Sequence, residues 1–273
     1  MRRKLTFGLY AIEPERKLGP TLDAFCDWLG EQLDAEVACD EAPDYQTLAN
    51  RVTQGVIDIA WLPPIAFLRA GEDVVPVVAI ERGKGGGYET ALVVREDSPL
   101  RRIEDLRGCR AAWVDEWSAA GYMIPRLRLR LLGFELSSLF REEHFYGTHT
   151  AAVRAVLDGE ADVAGTYAKT ASDGTLIDGP WMQMEGARVR LLFTFGEIPQ
   201  DVFAVGAKVD QDVRRGLYRI LVESELDGSR REMVKQLFGA DGFSAVDLES
   251  YAGLRAALSL AARTNDWDDL STA

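Results

Sequence analysis

WVDEWSAAGYMIPR, residues 113–126, is the stretch on which the fold turns. Apolar Ala111 to Val114 read as a strand that runs into an acidic turn at Asp115 and Glu116. Ser118 is a favoured helix N-cap, and Ala119, Ala120 and Gly121 put almost no side chain in front of the first backbone N–H groups. A helix start of this kind offers a partly positive cradle to an anion or a carbonyl oxygen. Pro125, inside the helix, is expected to kink it or to end its first segment. Most strand-to-helix turns bind nothing, so the rest of the chain has to decide whether this one does.

Towards the N-terminus the same alternation holds. Leu5 to Tyr10 read as a first strand, and Pro20 opens a helix with Leu22, Phe25, Cys26, Leu29 and Leu33 at helical spacing. Glu36 to Cys39 is a short strand, and a helix from Tyr45 to Thr53 stops before Gly55. Val56 to Trp61 is a near-continuous apolar run, as in a strand covered on both faces. Pro63 and Pro64 break it and start a short helix, and Val74 to Ile80 is the next strand. GKGGGYE, from Gly83, reads as a flexible loop or hinge and lacks the spacing and hydroxyl of a phosphate-binding P-loop.

After Gly87 the pattern restarts with strand Ala91 to Val94, a helix near Ile103 to Leu106, and the opening stretch. His144 to Tyr146 is a short strand; Thr148 or Thr150 caps a helix that Gly159 ends, before strand Ala161 to Tyr167. Lys169 to Gly179 is a loop or short helix, Val189 to Phe195 a strong strand, and Val202 to Val205 another. Helices follow from about Gln211 to Leu226, Arg230 to Phe238 and Val246 to Ala262, and the acidic tail from Arg263 is read as loose. This βαβ alternation predicts an α/β protein of parallel sheets flanked by helices, with ligands beyond the carboxyl ends of the strands. The loops there are Tyr10 to Pro14, Trp61 to Pro64 and Gly83 to Tyr88. No internal repeat of fixed period is read; the two halves share only architecture.

The 273 residues make one or two domains, 47% hydrophobic and 27% charged, as in ordinary globular proteins. A net charge of -13 argues against nucleic acid and anionic membrane surfaces as partners. No run of about 18 apolar residues exists, so no membrane insertion is expected. Met1, Arg2, Arg3 and Lys4 lead straight into LTFGLY, which reads as no secretory signal and makes the chain cytoplasmic as it stands. Cys26, Cys39 and Cys109 are an odd set without metal spacing, which favours buried free thiols in a reducing compartment over a Cys26–Cys39 bridge. His144 and His149 make no familiar zinc spacing with them, and no metal or other cofactor is expected.

Several segments together resemble a known family. They are DIAWLPPIAFL (Asp58 to Leu68), YETALVVREDSPL (Tyr88 to Leu100), DLRGCRAAWVD (Asp105 to Asp115) and SAAGYMIPR (Ser118 to Arg126). FYGTHTAAVRAVLDGEADVAG (Phe145 to Gly165), GEIPQDVFAV (Gly196 to Val205) and FGADGF (Phe238 to Phe243) complete the set. In order and spacing they resemble the phosphate/phosphite/phosphonate-binding proteins of ABC importers. The resemblance implies a two-lobed type II periplasmic-binding-protein fold, each lobe a mostly parallel sheet flanked by helices. It implies lobes of 1–90 plus 203–273 and of 91–202, joined by hinge strands near Tyr88 to Val94 and Pro199 to Ala204. It further implies a ligand in the cleft between lobes, an ABC permease as partner, a monomer, and export to the periplasm or cell exterior.

In such phosphonate binders the helix after the acidic turn begins with a Ser-Thr-Ser-Gly type run that holds the phosphonate oxygens. Here the run is Ser118, Ala119, Ala120, Gly121, so two hydroxyls are missing and a ligand other than a simple phosphonate is expected. His149, after Thr148, matches the family's Ser-His segment. The expected ligand set is Tyr10, Trp61, Pro63, Tyr88, Glu89, Glu116, Trp117, Ser118, Ala119, Ala120, Tyr122, His149 and Tyr167. Its aromatic members suit a flat or cationic ligand, with Glu13, Glu89 and Glu116 as countercharge. A small amine, a heteroaromatic, or a zwitterion with its carboxylate at Ser118 fits. The alternative is a small-molecule enzyme on the same fold, with His149 as general base and Tyr167 or Glu116 assisting.

Overall fold

The computed structural model describes residues 2–10, 19–81, 88–170 and 176–263. The chain forms two compact units, Met1–Lys84 with Pro199–Ser250, and Gly85–Ile198 with Tyr251–Ala273. This division differs from the expected one chiefly at the C-terminal helix, which groups with the second unit. The loop from Ala11, the turn at Gly83 and the tail beyond Arg263 lie outside the described residues.

The first unit opens with β1 (Arg3–Tyr10), α1 (Gly19–Leu33), β2 (Ala35–Ala42), α2 (Tyr45–Thr53), β3 (Ile59–Leu62), α3 (Pro64–Ala70) and β4 (Val74–Glu81). The second holds β5 (Tyr88–Arg95), β6 (Arg110–Trp113), α4 (Ile124–Leu131), α5 (Leu136–Leu139), β7 (Glu142–Phe145), α6 (His149–Leu157), β8 (Val163–Thr170), β9 (Leu176–Asp178) and β10 (Val189–Glu197). Back in the first unit come β11 (Val202–Gly206), α7 (Gln211–Tyr218), α8 (Gly228–Phe238) and β12 (Gly242–Ser244); α9 (Ala252–Arg263) belongs to the second.

The sheet orders are β12-β4-β11-β3-β1-β2 and β10-β5-β8-β6-β7, with β9 paired to β8. In the first, β1 runs parallel to β2 and β3, while β11 lies antiparallel between β3 and β4. In the second, β6 runs parallel to β7 and β8, while β5 lies antiparallel between β8 and β10. Both sheets are therefore mixed, where mostly parallel ones were expected. The cause is topological: β5 and β11 are the strands that follow the first two passages of the chain between units, and each enters the interior of its sheet in reverse. Leu176–Asp178, expected in a loop or helix, is likewise a strand.

The first core is a cluster of rings. Phe7 packs against Phe25 at 5.1 Å, and Phe203 against Phe238 at 4.9 Å, in tilted or edge-on pairs that rings prefer. Beside it Cys26 on α1 and Cys39 on β2 form a disulfide, with Cα atoms 6.4 Å apart. The expectation of free thiols is thus corrected for this pair: a tight turn at Asp34 lays β2 back along α1 and brings the two residues together. Cys109 is the free thiol, and burial pushes its pKa up. The second core is aliphatic, built from Ala91, Val93, Ala112, Val114, Val153, Val156 and Ala164.

The two units also carry an internal repeat, contrary to the sequence reading. Thr6 pairs with Ala38 and Arg110 with Glu142, each member displaced by 104 positions (110 − 6 and 142 − 38). The same displacement relates Phe7↔Ile59 to Ala111↔Val163, and the cap of α2, Asp44, to that of α6, Thr148. Asp58 accepts the N–H of Thr6 at 2.8 Å, and Asp162 accepts that of Arg110 at 2.8 Å. Gly55 and Gly159 end the two helices at positive φ, 74° and 77°, where only glycine is unstrained.

Candidate ligand-binding site

In the second unit the carboxyl end of β6 delivers the opening stretch. Asp115 folds its turn back: its Oδ1 accepts the Trp117 N–H at 2.7 Å and its carbonyl the Ser118 N–H at 3.1 Å. Ser118, buried, then caps the helix by accepting the Gly121 N–H on its Oγ at 3.0 Å. Ala119 and Ala120 occupy the first helical positions, whose N–H groups have no intrahelical carbonyl to bond. Ala119–Met123 is one π-helical turn, and α4 continues from Ile124 with Pro125 near its start. Pro125 thus marks a change of helical type, because it supplies no N–H to the ladder.

Gly121 is required by contact. A Cβ there would stand 2.7 Å from Val114 Cβ and 2.8 Å from Ser118 Oγ. Gly165 on β8 has the same reason, since its Cβ would meet the Trp113 ring at 2.6 Å and the Gly121 carbonyl at 2.7 Å. Two glycines therefore let the turn rest directly on the strand next to β6.

The neighbouring strand end brings a second helix start. Tyr146 and Gly147 donate their N–H groups to the carbonyls of Trp113 and Val114, at 2.9 and 2.8 Å, which ties the end of β7 to the end of β6. Thr148 caps α6 through the Ala151 N–H at 3.0 Å, deciding between the two threonines. His149 follows; its Nδ1 lies 3.0 Å from the Oγ1 of buried Thr166, and its ring meets Tyr167 edge-on at 5.0 Å. Glu89 on β5 accepts the Thr170 hydroxyl at 2.8 Å. Tyr88 opens β5 opposite Lys169, and Glu116 is exposed beside half-buried Trp117.

Tyr122 is buried by Trp113 at 5.6 Å, by Phe145 at 4.9 Å and by the Arg126 guanidinium over its face at 5.3 Å. Burial pushes its phenol far above the ordinary value. Arg126 pairs with Glu143, which also accepts the Trp113 indole N–H at 2.7 Å. Arg126 and Glu143 were not among the expected residues, nor was Thr90, whose hydroxyl donates to the Ala120 carbonyl at 2.7 Å.

The remaining expected residues lie in the first unit. Tyr10 ends β1 and meets Tyr45, the first residue of α2, edge-on at 4.4 Å. Trp61, 1% exposed, donates its indole N–H to buried Asp201 at 3.1 Å. Pro63 is the buried N-cap residue of α3. Glu13 lies outside the described residues. Asp201 was missed because a lone aspartate after Pro199 carries no pattern.

The family model described as "ABC transporter, phosphonate, periplasmic substrate-binding protein" matches residues 7–251. The chain belongs to that family. It is 26% identical over 186 residues to the phosphate-import protein PhnD of Mycolicibacterium smegmatis, covering 64% of this chain. Against the phosphonates-binding periplasmic protein of Escherichia coli K12 it is 26% identical over 171 residues, 59% of this chain. The match spans about half the length of these curated relatives, 58% and 50%. PhnD1 of Prochlorococcus marinus, solved with methylphosphonate, shares the fold with a TM-score of 0.78 and 16% identity, over 96% of this chain and 98% of that one. The two-unit α/β architecture is thus that of periplasmic binding proteins.

Proposed function

We propose that this chain is the solute-binding protein of an ABC importer and that its ligand sets an anionic or carbonyl group on the Ser118–Gly121 turn. The observation that carries the second half is the pair Ala119 and Ala120 in an otherwise intact turn, capped by Ser118 and seated on Gly165. A hydroxyl donating to an anion's oxygen is worth about 1.5–3 kcal/mol, or roughly tenfold to a hundredfold in affinity. A tetrahedral phosphonate would go without two such bonds. A planar carboxylate needs fewer donors, and the backbone N–H groups at the helix start with His149 supply them. The ligand is therefore a small carboxylate-bearing amine or heteroaromatic rather than a simple phosphonate. We assign Ser118, Ala119, Ala120, Trp117, His149 and Tyr167 to its contacts and treat Tyr122 and Trp61 as packing residues.

The Cys26–Cys39 disulfide and the family's periplasmic character both favour an oxidising compartment outside the cytoplasm, where an ABC permease would receive the ligand. No helix of the described residues is long and apolar enough to cross a membrane. A thermal-shift panel of phosphonates, phosphite, phosphate, carboxylated amines, quaternary amines and purine or pyrimidine derivatives tests the proposal. The largest rise is expected from a carboxylated or aromatic compound recovered unchanged. A large rise from a phosphorus oxyanion would reject the ligand assignment, and turnover of the ligand would reject the binding-protein assignment.

A further inference from the structure

The first helical turn of the site has a missing bond, and a residue on another strand fills it. The turn runs in an i+5 ladder: the Met123 N–H reaches the Ser118 carbonyl at 3.0 Å and the Ile124 N–H reaches that of Ala119. The next rung would join residue 125 to the Ala120 carbonyl, and Pro125 has no N–H. The Ile124 N–H, the donor an α-helix would use, is already on Ala119. Both helical donors for Ala120 are therefore lost, in a buried position where an unbonded carbonyl is costly. Thr90, itself fully buried on β5, supplies the missing donor at 2.7 Å. Its Cα partner on β8 is Tyr167, so the same residue stands in register with the site's other wall.

We infer that Thr90 is a positioning residue for the ligand turn: its hydroxyl replaces the hydrogen bond that Pro125 cannot make and fixes where the Ala119 and Ala120 N–H groups point. The role of those groups toward a ligand rests on the function proposed above; the fixing of the turn does not. Thr90 touches no ligand in this scheme. Its side chain explains why a hydroxyl stands immediately before the apolar run ALVV (Ala91 to Val94) in a central strand.

The test uses T90V, which keeps the shape and removes the donor, and T90S, which keeps the donor. Amide hydrogen exchange at Gly121, Tyr122 and Met123 is expected to rise about tenfold or more in T90V, with α6 amides unchanged, and to stay at wild-type rates in T90S. In the A119T/A120S background, where methylphosphonate serves as probe, T90V is expected to weaken its Kd about tenfold and T90S to leave it intact. Unchanged exchange in T90V, or equal losses in T90V and T90S, would overturn the inference. So would faster exchange with an unaltered methylphosphonate Kd. If T90V does not fold, T90V/P125A restores an N–H at residue 125 and is expected to fold with a wild-type turn; its failure would also overturn it. Should methylphosphonate bind none of these proteins, the assignment of the Ser118–Gly121 turn as the anion site fails alone and the exchange rates still decide the role of Thr90.

Discussion

Gly121 is the residue on which the site's geometry depends most narrowly. Its Cβ would fall between Val114 and Ser118 Oγ, two groups that the β6 ladder and the helix cap hold in place. G121A is therefore expected to destabilise the protein by about 1–3 kcal/mol, measured by denaturant unfolding, because the clash reaches the Cβ of Val114, the residue just after β6, and so cannot be relieved by a rotamer change alone. S118A should cost about 1 kcal/mol, the ordinary loss of a helix cap. An unchanged midpoint in G121A would mean that the turn can move away from β6. Ser118 was legible in the sequence because caps have a local signature. Thr90, Glu143 and Arg126 were not, because their partners lie 30, 17 and 17 positions away and nothing local announces a pairing at that range. The bond from the Trp61 indole nitrogen to Asp201, 140 positions away, was not legible for the same reason.

At the scale of elements, most strands and helices were legible as periodicity, and the exceptions have physical causes. Pro125 was expected to kink or end a helix; it does so by changing the ladder from i+5 to i+4. The 104-position repeat escaped notice because side chains diverged while the hydrogen-bond plan was kept. Val52 and Val156, Gly55 and Gly159, Asp58 and Asp162, and Ala60 and Ala164 agree, but Tyr45 and His149 or Trp61 and Gly165 do not. Of the repeated carboxylates, Asp162 has a pKa held below the ordinary aspartate range, first by the Arg110 guanidinium and then by the Arg110 N–H. The unfolded chain titrates near its usual value, about 3.9. Below it the unfolded chain takes up a proton that the folded chain refuses, so this stabilisation is present above about pH 4 and lost as pH falls through the lower folded pKa. Wild-type thermal midpoints should accordingly drop more steeply between about pH 5 and pH 2 than those of D162N. Parallel curves would show that the Arg110–Asp162 pair contributes nothing to acid stability.

For the whole molecule, the order of recognisable segments carried the family and the two-unit fold, and family membership followed from the match over residues 7–251. Two features were not legible. An odd cysteine count hid a bridge that only the return of β2 along α1 creates, and helicity near the C-terminus did not tell which unit the last helix joins. The bridge predicts one titratable thiol, Cys109, in the denatured unreduced protein and three after reduction, with reduction lowering stability by about 2–4 kcal/mol. Three thiols before reduction would remove the argument for an oxidising compartment. The central claim is that a phosphonate-family fold keeps its turn while Ala119 and Ala120 withdraw the hydroxyls for a phosphorus oxyanion. Calorimetric titration of methylphosphonate into the wild-type protein and into A119T/A120S tests it most directly. The account predicts weak wild-type binding and a gain of about tenfold or more per restored hydroxyl; sub-micromolar wild-type binding with no gain in the variant would contradict it.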